Sequence, residues 1–324
     1  MYVPRQFLRL NKVKNRSLLQ PTRQWEQRRE VHIGFQGSGV SAKDESSVKR
    51  MNEAYKGKNK MMIGGPGNRD VQNPLTRIRE LLTGSGIDER LAKSMKAIAN
   101  AHRKGDDDIH ISGHSRGGQM ALRLAQELQT KGVYDPKTKK QLRPAPVNVS
   151  SITNFDTVPA TPIPGSGVSL NDKGEPQTVP YSEMRIPPNV KNYHHMLARN
   201  EHRRVFRHAE MRPESEKDTD TRFQVVPNAK HNEVGGKRGG NKDAIRLTES
   251  EALRYKKERG LPFKTKRILR AKAHNRRLAR LQKTPTKPSW FEWMQRLGSE
   301  HQRSFSEDQP EIQPREPDDE TLKE

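Results

Sequence analysis

The residues best able to do chemistry lie in the run Ile109-His110-Ile111-Ser112-Gly113-His114-Ser115-Arg116-Gly117-Gly118. It contains G-x-S-x-G, a pattern with chemical meaning where a strand runs into the serine and a helix leaves it. Glycines at 113 and 117 let the helix pass close to the strand, which forces Ser115 out on a tight turn. Its Oγ then sits at a helix N-terminus, and the Arg116 N–H points toward a developing oxyanion. A hydroxyl nucleophile needs a base, and the base needs an orienting acid. Downstream, Ile152-Thr153-Asn154-Phe155-Asp156-Thr157-Val158 places Asp156 where a strand should end. Further on, His231 follows the apolar run ending Val225-Val226. Singly, Asp156 reads more readily as a strand-ending turn residue, and His231 as a loop histidine. Together they give the order Ser, Asp, His at separations of 41 and 75 residues, which suits acyl transfer from an ester.

These residues need elements to hold them. Val31–Phe35 reads as a short buried strand ending at Gln36-Gly37-Ser38-Gly39, and Met61–Ile63 as a second strand closed by glycines. Leu91 to His102 has helical spacing of Leu91, Met95, Ile98 and Ala99 on one face. Ile109 to Ser112 reads as a strand, and Gly117 to Thr130 as a helix with Met120, Leu124 and Leu128 in one stripe. Val147 to Phe155 and Phe223 to Val226 are further strands. Alternating strands and helices predict an α/β fold, with a mainly parallel sheet covered by helices on both faces. Between Pro159 and Pro188, seven prolines and three glycines predict an irregular substrate-binding excursion.

Five blocks in order resemble a known family. They are Phe35-Gln36-Gly37-Ser38, Gly113-His114-Ser115-Arg116-Gly117, Phe155-Asp156-Thr157-Val158, Ala198-Arg199-Asn200-Glu201-His202-Arg203-Arg204-Val205-Phe206 and His231-Asn232-Glu233-Val234-Gly235-Gly236. Their arrangement over about residues 30–240 resembles the α/β-hydrolase domain family that includes the catalytic domains of type VI secretion phospholipase effectors. The resemblance implies an α/β-hydrolase-like fold and lipid or phospholipid esters as substrates. On that layout Ser115 is the nucleophile, His231 the base and Asp156 its orienting acid. The oxyanion donors are the amide of Arg116 and one near Gly37 or Ser38. Two positions depart from the family pattern: Gln36 stands where aspartate is usual, and Lys237 where a third glycine is common. Glu201 with Arg203 and Arg204 reads as an internal ion pair or a solvated face. His194 and His195 are adjacent and point to opposite sides, so they predict no metal site, and no cofactor is expected.

Composition frames this chemistry. The 324 residues carry 62 Lys and Arg against 39 Asp and Glu, a net charge of +23, with 30% hydrophobic residues. That is lean for a single core, so a folded domain diluted by polar extensions is expected. No cysteine is present, which excludes disulfides, thiolate catalysis and cysteine zinc sites. No long apolar run predicts a membrane span, and the first 20 residues lack the apolar centre of a secretory signal. Residues 251–287 hold 14 Lys and Arg against 2 acids, whereas residues 300–324 hold 9 acids against 3 bases. The expected division is a basic segment at 1–29, the catalytic domain at 30–245, a basic helical and aromatic extension at 246–298 and a disordered acidic tail at 299–324. Basic residues beside Trp290 and Trp293 predict attachment to an anionic membrane through residues 251–294; nucleic acid is the lesser alternative. The acidic end resembles type IV secretion signals. The expectation is synthesis in the cytoplasm, export by a specialised secretion system and peripheral association with a membrane. The competing reading is a non-catalytic basic protein on a degenerate hydrolase scaffold.

Overall fold

The computed structural model describes residues 31–83, 85–102, 108–158, 168–170, 176–178, 184–201, 211–283 and 310–316. The first strands are β1 (Val31–Phe35), β2 (Asn59–Ile63) and β3 (Ile109–His114); after two short strands, β4 (Val133–Tyr134) and β5 (Gln141–Arg143), comes β6 (Ser151–Phe155). Three more short strands, β7 (Val168–Leu170), β8 (Pro176–Thr178) and β9 (Met184–Ile186), precede β10 (Asn192–Ala198), and β11 (Met211–Pro213) precedes β12 (Asp220–Val226). Six of them form one parallel sheet in the order β12-β10-β6-β3-β1-β2. Between β1 and β3 the chain changes direction of travel across the sheet, which opens a crevice at the strands' carboxyl ends.

Seven helices are described: α1 (Ser47–Ala54), α2 (Pro74–Thr83), α3 (Ile87–His102), α4 (Arg116–Thr130), α5 (His231–Val234), α6 (Lys242–Glu258) and α7 (Ala271–Lys283). On one face α3 and α4 bury the expected stripes, Leu91, Met95, Ile98 and Ala99 with Met120, Leu124 and Leu128, against Ile33, Ile111 and Ile152. On the other, α1, α6 and α7 pack Val48, Met51, Leu247, Leu253, Leu278 and Leu281 against Phe155, Met196 and Val226. Helices therefore cover both faces, as the alternating pattern predicted.

The second face is unusually polar. His32 accepts from Asn52 Nδ2 at Nδ1 (2.8 Å) and reaches Ser112 Oγ through Nε2 (3.0 Å). His110 Nδ1 meets Ser151 Oγ at 2.8 Å, and the Lys256 ammonium donates to the same hydroxyl at 2.7 Å. His194 Nε2 pairs with Gln224 Oε1 at 2.8 Å. Pairing of this kind removes most of the penalty of burying polar groups.

The C-terminal basic region is not a separate extension. Ala244, Leu247, Leu253, Tyr255 and Lys256 of α6 are buried, as are His274, Leu278 and Leu281 of α7. Apart from the buried Lys256, its cations face outward or pair, as Arg277 and Arg280 do with Asp243 at 2.5 and 2.8 Å. The division expected at residue 245 thus falls inside one packed body, because net charge says nothing about the apolar residue every third or fourth position. The expectation of a disordered tail fails for residues 310–316. Val225 N–H donates to the Pro310 carbonyl at 2.9 Å, Ile312 N–H to the Val225 carbonyl at 3.0 Å, and Arg315 pairs with Glu251 at 2.5 Å. The segment covers the open edge of β12 and buries Ile312. Ile312→Ala should cost about 2 kcal/mol, read as a lower urea midpoint; an unchanged midpoint would mean that this edge is not held.

The segment at 1–29, most of the excursion at 159–188, Trp290, Trp293 and the remainder of the acidic end lie outside the described residues.

Candidate active site

The strand-to-helix turn at Ser115 is built as the motif requires. Ser115 has φ +56°, a strained conformation for a residue with a side chain. Its N–H donates to the Phe155 carbonyl at 3.1 Å, and its own carbonyl accepts from Gly118 N–H at 3.0 Å. A Cβ on Gly117 would run into the carbonyl oxygens of Phe35 and Gln36, and one on Gly113 into the Gly117 carbonyl. Those glycines are the condition for α4 to start this close to β1 and β3.

Asp156 ends β6, the strand next to β3, and His231 opens α5 after β12. His231 Nδ1 and Asp156 Oδ2 are 2.7 Å apart, and both side chains are buried. The other carboxylate oxygen, Oδ1, accepts from Ala198 N–H at 2.9 Å, which fixes the carboxyl plane. With Asp156 ionised, Nδ1 carries the proton and Nε2 is the basic nitrogen. Ser115 joins the pair through the backbone: its N–H is bonded to the residue preceding Asp156, and its carbonyl accepts from Val158 N–H at 3.4 Å. Among the described residues the Ser115 hydroxyl makes no side-chain hydrogen bond of its own with His231.

The loop after β1 lies against the serine. A Cβ on Gly37 would come 3.1 Å from Ser115 Cβ and 2.8 Å from His114 Nδ1, so only glycine fits there unshifted. Among the described residues the N–H groups of Gly37, Ser38 and Arg116 donate to no protein acceptor. Free amides beside a serine at a helix N-terminus are what a transient anion needs. Gln36, the departure from the family pattern, is buried and donates through Nε2 to the Asp44 carbonyl at 3.1 Å, tying down the same loop. The other departure, Lys237, is exposed, and its N–H donates to the Asn232 carbonyl at 2.9 Å.

Three supporting residues had no settled role in the sequence. His114 stacks on His231 with ring centroids 4.7 Å apart, and its Nε2 lies 3.3 Å from the His231 carbonyl. Burial, then the neighbouring His231, hold His114 down at about 3, so it is neutral at physiological pH. Glu201 is buried and accepts from His231 N–H at 3.3 Å, which removes the solvated-face reading; Arg203 and Arg204 lie outside the described residues. Glu233 accepts from the N–H groups of Lys230 and Asn241 at 2.8 and 3.0 Å, pinning both ends of the His231 loop. The family spacing of Glu201 and Glu233 was the available signal; their partners were not. His194 and His195 face opposite sides of β10, toward Tyr255 and toward Phe223.

A parallel sheet with a strained serine after β3, an acid after β6 and a histidine after β12 defines an α/β-hydrolase-like protein. Residues 134–255 match the family described as "T6SS, Phospholipase effector Tle1-like, catalytic domain". Over that segment the chain is similar to the family that the motif blocks resemble. No curated protein sequence matches the chain. Among solved structures it is similar to the Tle1 effector bound to the VgrG spike of the type 6 secretion system. The identity there is 15%, over 66% of this chain and 51% of that one, with a TM-score of 0.36. This chain therefore spans about half the length of that effector. It is also similar to a dienelactone hydrolase from Anabaena variabilis, at 15% identity over 71% and 85% of the chains and a TM-score of 0.37. A third likeness is to a structure described as "LipS and LipT, two metagenome-derived lipolytic enzymes increase the diversity of known lipase and esterase families", at 12% identity over 71% and 94% and a TM-score of 0.39.

Proposed function

We propose that the chain is a serine hydrolase of lipid or phospholipid esters, working through Ser115, His231 and Asp156 and delivered as a secretion-system effector. The observation that carries the catalytic reading is the buried Asp156–His231 pair at 2.7 Å beside a serine held at φ +56°. His231 Nε2 takes the Ser115 proton as Oγ attacks the ester carbonyl. The amides of Arg116 and of Gly37 or Ser38 receive the oxyanion. His231 then gives the proton to the leaving alcohol, and a water activated by the same nitrogen releases the acid. Asp156 holds the imidazole in its working tautomer and balances the imidazolium. The T6SS phospholipase effector family matched by residues 134–255 supports both the substrate class and the delivery route.

A fluorophosphonate probe tests the chemistry, because it labels a serine only where base and oxyanion donors act on it. The wild-type chain should be labelled and Ser115→Ala should not. Equal labelling of both, or none of either, would sink the catalytic reading.

A further inference from the structure

The only exposed large apolar side chains among the described residues are Leu75, at 77% exposure, and Ile78, at 54%. Both are on α2, three residues apart and so on one face. This helix is fastened by its other side. Glu80 is buried and accepts from Arg90 Nη2 and from Gly67 N–H, each at 2.7 Å. The Leu81 carbonyl accepts from Arg116 Nη1 at 2.7 Å. Asn73 Oδ1 caps the start through the N–H groups of Leu75 and Thr76 at 2.9 and 3.2 Å. The helix is therefore held at its C-terminal turn, bonded to the residue that follows Ser115, with two apolar side chains offered to the exterior.

Charge says what they are offered to. Arg77 and Arg79 alternate with Leu75 and Ile78 on the exposed surface, Arg77 donating through Nε to the Gly67 carbonyl at 3.2 Å. The one acid of α2 is Glu80, which is turned inward and paired with Arg90. Arginines flanking exposed leucine and isoleucine suit an anionic lipid surface, which takes the apolar side chains and attracts the cations. Among the described residues of the basic block, Leu278 and Leu281 are buried, and Ile268 and Leu269 pack against the same cluster.

We infer that α2 is the surface through which this chain sits on an anionic bilayer, with Leu75 and Ile78 entering it beside the mouth of the site. The inference rests on the lipid-ester reading above and goes beyond it by naming the docking surface.

The absence of cysteine makes a direct test available. Leu75→Cys and, on exposed α7 positions, Lys272→Cys each supply a single thiol for an environment-sensitive fluorophore, in a Ser115→Ala background that leaves vesicles intact. With phosphatidylglycerol vesicles the label at 75 should brighten and shift to the blue, while that at 272 stays aqueous. With phosphatidylcholine the affinity should fall about 30-fold, the share of two arginines near a charged surface. Leu75→Ser with Ile78→Ser should weaken partitioning about 100-fold at an unchanged melting temperature. An aqueous signal at 75 on vesicle-bound protein, or no vesicle binding, overturns the inference. So does a signal at 75 that follows protein concentration without vesicles, which marks a contact between copies. Turnover of a short-chain dissolved ester by the wild-type chain reports separately on the catalytic reading.

Discussion

Asp156→Asn is expected to lower kcat on a chromogenic ester by about four orders of magnitude while leaving the fold intact. The geometry sets the direction of the change. Ala198 N–H donates to Oδ1 at 2.9 Å, and the asparagine carbonyl oxygen takes over that bond. The amide nitrogen must then face His231 Nδ1, where Oδ2 stood at 2.7 Å. An amide donates, so Nδ1 becomes the acceptor and the ring proton moves to Nε2. The nitrogen that should deprotonate Ser115 is then occupied. KM should change little, because Asp156 is buried away from the substrate. A loss of less than tenfold would mean that Asp156 does not orient the base.

The second large effect is acid unfolding. Burial holds His32 at about 3, with Lys256 and Lys60 adding to it. Burial also holds His194 at about 3, opposed by its bond to Gln224 and reinforced by Lys256 and Arg222, while Glu251 acts to raise it. His110 is pushed well down by burial, then by Lys256 and His32. His114 is held at about 3 beside His231. An unfolded chain protonates these rings near 6.5, whereas folding holds His32, His114 and His194 at about 3 and His110 well below its ordinary value. Between those values the unfolded state binds more protons, so stability falls as the pH drops through that window. Each histidine adds up to about one proton to the difference between the two states, so four together remove several kcal/mol across that window. Against a typical total of about 5–15 kcal/mol, the fold should be lost before pH 4. Lys256, lowered by burial to about 7, acts with the same sign at higher pH: stability should keep rising from 7 toward 10.5. Urea denaturation at pH 7, 6 and 5 checks the slope, and an uptake below one proton would contradict it.

Why β10 escaped the sequence while its neighbours did not has a physical answer. Ile109–His114 and Val31–Phe35 carry β-branched and apolar residues that mark buried strands. Asn192-Tyr193-His194-His195 carries polar groups into the middle of the sheet, where they are tolerated because Gln224 and the Thr157 N–H meet them. Neither partner is local. The partners of His114 and Glu201 escaped for the same reason: each acts on His231, 117 and 30 residues away in the chain.

The sequence by itself determined the strand-turn-helix at Ser115, the order of serine, acid and histidine, and the buried stripes of α3 and α4. The turn and the stripes are encoded at short separation, through glycine sterics and periods of 2 or 3.6 residues, and the order is read directly along the chain. Only the tertiary structure decided that Asp156 meets His231 at 2.7 Å. It also decided that the basic block at 251–283 belongs to the core, and that residues 310–316 close the β12 edge. These depend on which face meets which across the sheet, a choice set by non-local packing that local pattern and net charge leave open.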